Sequence, residues 1–223
     1  MWYTESIGAD DDLRVLALGG LLRSEPQKVV PMLGRIALES DNPNSAISAV
    51  FVLASSSLPE ARAVVVKVAR QGSEPVQVAA VRDLGRFGGP EVSKDLMSVY
   101  LTAQPPVKVQ IVKSLGERSE KLALATIVSS EKDVNIRSRA FTSLGQAGGA
   151  AQLAAMYRAA SPADKRAIIG GLGLARADAE LIRIAEAERT PAGATFRNDA
   201  LEQLRLLGTA KASDYLQKVK ESR

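Results

Sequence analysis

Apolar residues recur along this chain in one fixed pattern: a leucine with alanine or isoleucine four positions earlier and another apolar residue three earlier. Setting Leu144 as position zero, the pattern returns at Leu21, Leu53, Leu84, Leu115, Leu172 and Leu204. Position minus four reads Ala17, Ala49, Ala80, Ile111, Ala140, Ile168 and Ala200, and minus three reads Leu18, Val50, Val81, Val112, Phe141, Ile169 and Leu201. Spacings of three and four put these residues on one helix face. The separations between successive leucines are 32, 31, 31, 29, 28 and 32 residues. A period of that size marks a solenoid, in which each unit buries its apolar face against the next.

Each unit reads as two helices. The anchor helix carries the leucine, as in 133–146. Partner helices are expected over about 27–38, 59–71, 90–103, 119–129, 151–159, 177–188 and 210–221. Pro59 and Pro90 suit a first helical turn, where the missing N–H would be unpaired in any case. Pro26, Pro43, Pro75, Pro105, Pro106, Pro162 and Pro191 mark joints. Each anchor helix is expected to end near the residue four places past its leucine, Glu25, Ser57, Gly88, Ser119, Gly148, Arg176 and Gly208, and glycine there suits the left-handed position after a helix. No useful stretch of β-alternation occurs. The predicted fold is all-α, a right-handed α-solenoid of about seven helix pairs forming one domain over 1–223. The polar helix at 210–221 suits a terminal cap. At the other end Asp10, Asp11 and Asp12 suit a helix start, and Trp2 and Tyr3 resemble the tail of an earlier helix, so the chain is expected to be a fragment of a longer one.

Composition narrows this picture. The chain has 223 residues, 46% hydrophobic but only 4% aromatic, so its core must be built from alanine and branched aliphatics. The longest uncharged runs, 42–59 and 140–157, are interrupted by polar residues, glycine or proline and fall short of a membrane span. The N-terminus has no basic and apolar leader pattern. A soluble chain is expected, cytoplasmic or, had a leader been removed, periplasmic. Cysteine and histidine are both absent. Ser-His-Asp and Cys-His nucleophile systems are therefore excluded, and zinc ligation effectively so; no catalytic residue, metal or cofactor is expected. Net charge is +4. Residues 1–74 carry 7 basic and 9 acidic groups, and 75–223 carry 22 and 16.

The motif within the anchor helices resembles HEAT repeats, in particular the short bacterial HEAT-like repeats associated with phycobilin lyases. The best copy has a capping Asp133, then Ile136-Arg137, Ala140 and Leu144-Gly145. Further copies are Val107-Lys108, Ile111, Leu115-Gly116 and Phe196-Arg197, Ala200, Leu204. Ala46 and Gln77 depart from the basic position, and Arg205 from the glycine. The resemblance implies a protein-binding scaffold with its anchor helices on the concave surface.

Two sets of polar residues follow from the helix angles. The basic column at minus seven, Arg14, Lys108, Arg137, Lys165 and Arg197, points about 20° from the anchor leucine at roughly 100° per residue, inside the apolar stripe. It is expected to be a structural ladder, with stems packed between units and heads on neighbouring acidic caps or carbonyls. Positions minus five, minus two and plus two face outward, giving Arg82, Arg86, Gln110, Lys113, Glu117, Arg139 and Gln146 in the central units. These are the candidate partner-binding residues, flanked by Leu16, Phe51, Ala79, Ala167 and Leu174. The expected function is non-enzymatic binding of a protein or peptide by a monomer. The alternative is nucleic-acid binding in a mildly basic groove, for which stacking aromatics are scarce; a bilin-lyase-like chaperone is a third reading.

Overall fold

In the computed structural model, residues 4–221 are described, and of the side chains those from residue 13 onward. Among these residues there are fourteen α-helices, one short 3-10 turn and no strand. The helices are α1 (Thr4–Leu21), α2 (Pro26–Glu39), α3 (Pro43–Ala54), α4 (Pro59–Gln71), α5 (Glu74–Leu84), α6 (Glu91–Tyr100), α7 (Pro105–Glu117), α8 (Lys121–Ser130), α9 (Val134–Gln146), α10 (Ala150–Tyr157), α11 (Pro162–Leu174), α12 (Asp178–Ala187), α13 (Ala194–Leu207) and α14 (Ala210–Glu221). Odd-numbered helices hold the anchor leucines and even-numbered ones are their partners. The fold is an α-solenoid.

The chain divides into two compact units, Met1–Ser114 and Leu115–Arg223. In the first, α1, α3 and α5 pack in sequence as one layer while α2, α4 and α6 form a second. In the other, α9, α11 and α13 stack in the same way, backed by α10, α12 and α14. Helices of this length are marginal alone, so burial between layers and neighbours is what stabilises them. Leu53, Leu84, Leu115, Leu144, Leu172 and Leu204 are all fully buried, together with Ala49, Ala80, Ile111, Ala140, Ile168 and Ala200 at minus four.

The glycine after the anchor leucine has a physical explanation. A Cβ built on Gly85 would meet Ser114 Cβ at 2.9 Å, on Gly116 would meet Ser143 Cβ at 3.0 Å, and on Gly145 would meet the backbone oxygen of Gly171. Each Leu-Gly glycine thus faces position minus one of the next anchor helix, and the absent side chain lets consecutive helices approach. The tightest approach is that of α9 and α11, with the same Gly145 Cβ only 2.7 Å from Gly171 Cα.

α1 corrects two expectations. The helix runs through Asp10–Asp12 without a break, so the acidic cluster is not its start; Trp2 and Tyr3, read as an earlier helix tail, lie outside the described residues. Its register also shifts by one. Leu21 is 47% exposed and Ala17 is exposed, while Val15, Leu18 and Leu22 are buried. The Val15–Leu18–Leu22 stripe keeps helical spacing and has more aliphatic surface than Ala17–Leu18–Leu21, so burying it removes more apolar area from water.

Candidate functional site

The outward row of anchor-helix residues is the candidate site, and each unit supplies its own part. On the first unit Arg82 and Arg86 lie on α5 and just beyond it, one turn apart and both exposed. Between them in sequence lies Asp83, whose side chain is completely buried. Arg82 donates to it twice, from Nε to Oδ1 at 2.9 Å and from Nη2 to Oδ2 at 3.0 Å. Arg86 Nη1 donates to the same Oδ1 at 3.1 Å. The hydrogen bond to Asp83 raises the Arg82 pKa further above its usual value, against the lowering effect of burial. A buried carboxylate is costly unless paired and hydrogen-bonded, and this clamp supplies both conditions.

Beside the clamp the layer is apolar. Phe51 on α3 is 55% exposed and Leu16 on α1 is 75% exposed. Together with Val15, Ile47, Val52 and Arg82 they border a depression of about 590 Å³. Ala79, expected on this face, is buried instead. α5 packs against both α3 and α4, which widens its buried arc to Val76, Ala79, Ala80, Val81, Asp83 and Leu84. On α7, Gln110 is half-buried and donates to Ser114 Oγ at 3.3 Å, and Lys113 is exposed.

On the second unit the exposed outward residues are Glu117 on α7, Arg139 and Gln146 on α9 and Leu174 on α11; Ala167 is half-buried. No charge clamp like that of Asp83 holds Arg139 or Gln146 among the described residues. Two basic residues at minus seven in this unit are instead held in ion pairs with half-buried carboxylates. Arg137 Nε donates to Asp164 Oδ1 at 2.9 Å, on the first turn of the next anchor helix, and Nη1 donates to the Glu131 carbonyl at 2.9 Å. Lys165 Nζ donates to Glu188 Oε1 at 2.9 Å and lies over the Tyr157 and Phe196 rings at 4.8 and 5.0 Å. Tyr157 donates to the same Glu188 oxygen at 2.9 Å.

These contacts set the local electrostatics. Hydrogen bonds from Lys165 and then Tyr157 hold the Glu188 carboxyl below its usual range, against the effect of burial. Burial alone would raise Asp164, but hydrogen bonds from Arg137 and Ser161 outweigh it and lower that carboxyl as well. Burial and the bond to Glu188 raise the Tyr157 phenol strongly. The other minus-seven residues differ. Arg197 on α13 is half-buried with Nε unpaired, and Lys108 lies 4.8 Å over the Tyr100 ring. Arg14 is exposed at the edge of a small depression with Met32, Arg35 and Glu39, because the register of α1 places Val15 in the stripe instead.

The model of the HEAT repeats family matches residues 30–116. That stretch of the chain is made of HEAT repeats. No curated protein matches the chain. Among solved structures, it is similar to the complex of CpcE and CpcF of phycocyanin lyase from Nostoc sp. PCC7120, at 15% identity and a TM-score of 0.40, over 92% of this chain and 87% of that one.

The HEAT repeats contain the whole of the α3–α5 part of the site, including Asp83. Sequence reasoning placed Arg82 and Arg86 outward but passed over Asp83. Its signal was present in the register: position minus one elsewhere reads Gly20, Val52, Ser114, Ser143, Gly171 and Gln203, all uncharged, and only this repeat has a carboxylate there. Among the described residues no group of acidic side chains could hold a metal ion, and no helix is long and apolar enough to cross a membrane.

Proposed function

We propose that this chain is a non-enzymatic scaffold that binds a protein or peptide on the outward face of its anchor helices. The observation that carries the reading is the first unit's outward row: Phe51 and Leu16 are left largely in water beside two arginines held by a buried carboxylate. Exposed large apolar side chains next to fixed charge are a usual mark of an interaction surface. The absence of histidine and cysteine from the sequence supports a binding role over nucleophilic chemistry.

The test compares partners retained by the wild-type chain with those retained by a variant carrying Arg82→Gln, Lys113→Glu and Arg139→Glu, at matched melting temperature. Loss of the same partner from the variant supports the reading. An unchanged set of partners, or turnover in a substrate screen, overturns it. A mobility shift with nucleic acid that weakens steeply as salt rises would replace it with phosphate binding.

A further inference from the structure

We propose that the depression between α1 and α3 together with the Arg82–Asp83–Arg86 clamp forms one docking subsite. Its occupant is a partner peptide that presents a large apolar side chain with an aspartate or glutamate beside it. The proposal rests on the face-binding reading above and adds where the peptide sits and what it must carry.

Asp83 is the key to the inference. At the equivalent position the other repeats have serine, valine, glycine or glutamine, and Ser114 and Ser143 occupy the same approach between consecutive anchor helices without any charge. Packing therefore requires no carboxylate at this place, and full burial makes one expensive. What the carboxylate does here is fix two guanidinium groups that would otherwise sweep through solvent. Arg82 uses Nε and Nη2 on Asp83, and Arg86 uses Nη1. The remaining edge of each guanidinium is a planar donor set that suits a second carboxylate. Three charges here sum to +1, so the clamp retains attraction for an anion.

The neighbouring depression supplies the apolar half. It has room for a Leu, Met or Phe side chain between Leu16, Ile47 and Phe51, and Arg82 lines both features. An apolar anchor and a carboxylate on one short segment would engage them together. A basic segment would meet two arginines and be repelled, which is how charge selects between partners. Asp83 acts through the arginines and is a positioning residue.

The test uses the full chain and arrays of short synthetic peptides. One array pairs Leu, Met or Phe with Asp or Glu one to four positions away; matched arrays substitute Lys for the acid or Ser for the apolar residue. The expected result is retention of apolar–acidic peptides only. Phe51→Asp and Arg82→Gln should each weaken the best of them by roughly ten-fold or more. Asp83→Ser should fold, since serine fills the same position in two other repeats, yet reduce discrimination between a bound peptide and its scrambled isomer by about five-fold or more. A residue that merely packed would leave that ratio unmoved. Equal binding of Lys-containing peptides, or wild-type affinity in Phe51→Asp, overturns the proposal. If peptides bind but respond only to Glu117→Lys and Arg139→Glu, the subsite is wrong and the face-binding reading stands. If no array yields a binder and the partner-retention comparison is also flat, both fall.

Discussion

The two units are built from the same repeat, yet they place their basic residues differently. In the second, the joints are regular. Ser119, Gly148, Arg176 and Gly208, each four past its anchor, all have left-handed backbone. The first three close with the same pair of bonds, such as Gly149 N–H to the Leu144 carbonyl at 2.8 Å and Gly148 N–H to Gly145 at 2.9 Å. In the first unit neither Glu25, Ser57 nor Gly88 is left-handed; Gly89 is. The second unit turns Arg137 and Lys165 inward to carboxylates on neighbouring elements. The first turns Arg82 and Arg86 outward, with one buried Asp beneath them. The minus-seven charges of the second unit thus tie neighbouring helices together, whereas the α5 pair of the first is presented to solvent.

The largest test of this contrast is at the seams. Gly145→Ala would drive a Cβ into the backbone of Gly171, which cannot swing aside, and should destabilise the chain by about 3 kcal/mol or more. Gly85→Ala meets the Ser114 side chain at 2.9 Å and the Arg82 carbonyl oxygen at 3.3 Å, a looser approach, and should cost roughly 1 to 2 kcal/mol. Thermal melts of the two would rank the seams, and equal costs would remove the distinction.

Next comes Arg137→Ala. It removes the charged donor of the half-buried Asp164, leaving only Ser161 Oγ on that carboxylate, and takes a donor from the Glu131 carbonyl, for an expected loss of about 2 kcal/mol. Unchanged melting with lost partner binding would move Arg137 from the seam to the binding face.

Acid should then separate the units further. The folded-state carboxyls of Asp164 and Glu188 are depressed, so their stabilisation is present above the ordinary carboxylate range and is lost as pH falls through the lowered values. Melting temperature should drop as pH falls below about 4, and Glu188→Gln should start lower and show a shallower drop. A parallel profile would show that Glu188 does not contribute.

The smallest effect concerns the joints. Ser119 and Arg176 have φ of 59° and 54°, where a side chain is strained. Replacing either with glycine should raise stability by roughly 0.5 to 1 kcal/mol, visible in denaturant titration.

Most of the architecture was legible because a repeat states its pattern several times. Six of seven anchor leucines are fully buried, and the partner helix over Pro59–Gln71 has the predicted bounds. The failures lie where repetition stops informing. α1 carries two apolar stripes offset by one residue, and total buried area decides between them. Ala79 faces away from the anchor by angle, but α5 is covered from two sides.

The periodic column of leucine, alanine and aliphatic residues was by itself enough to determine an α-solenoid, because stripes at helical spacing have to be buried against one another. The direction of Arg82 could also be read from 100° per residue. Tertiary structure alone decided that Asp83 is covered while the arginines on either side of it are not. That outcome depends on how closely α3 and α4 approach α5, and helical periodicity carries no information about the distance between helices.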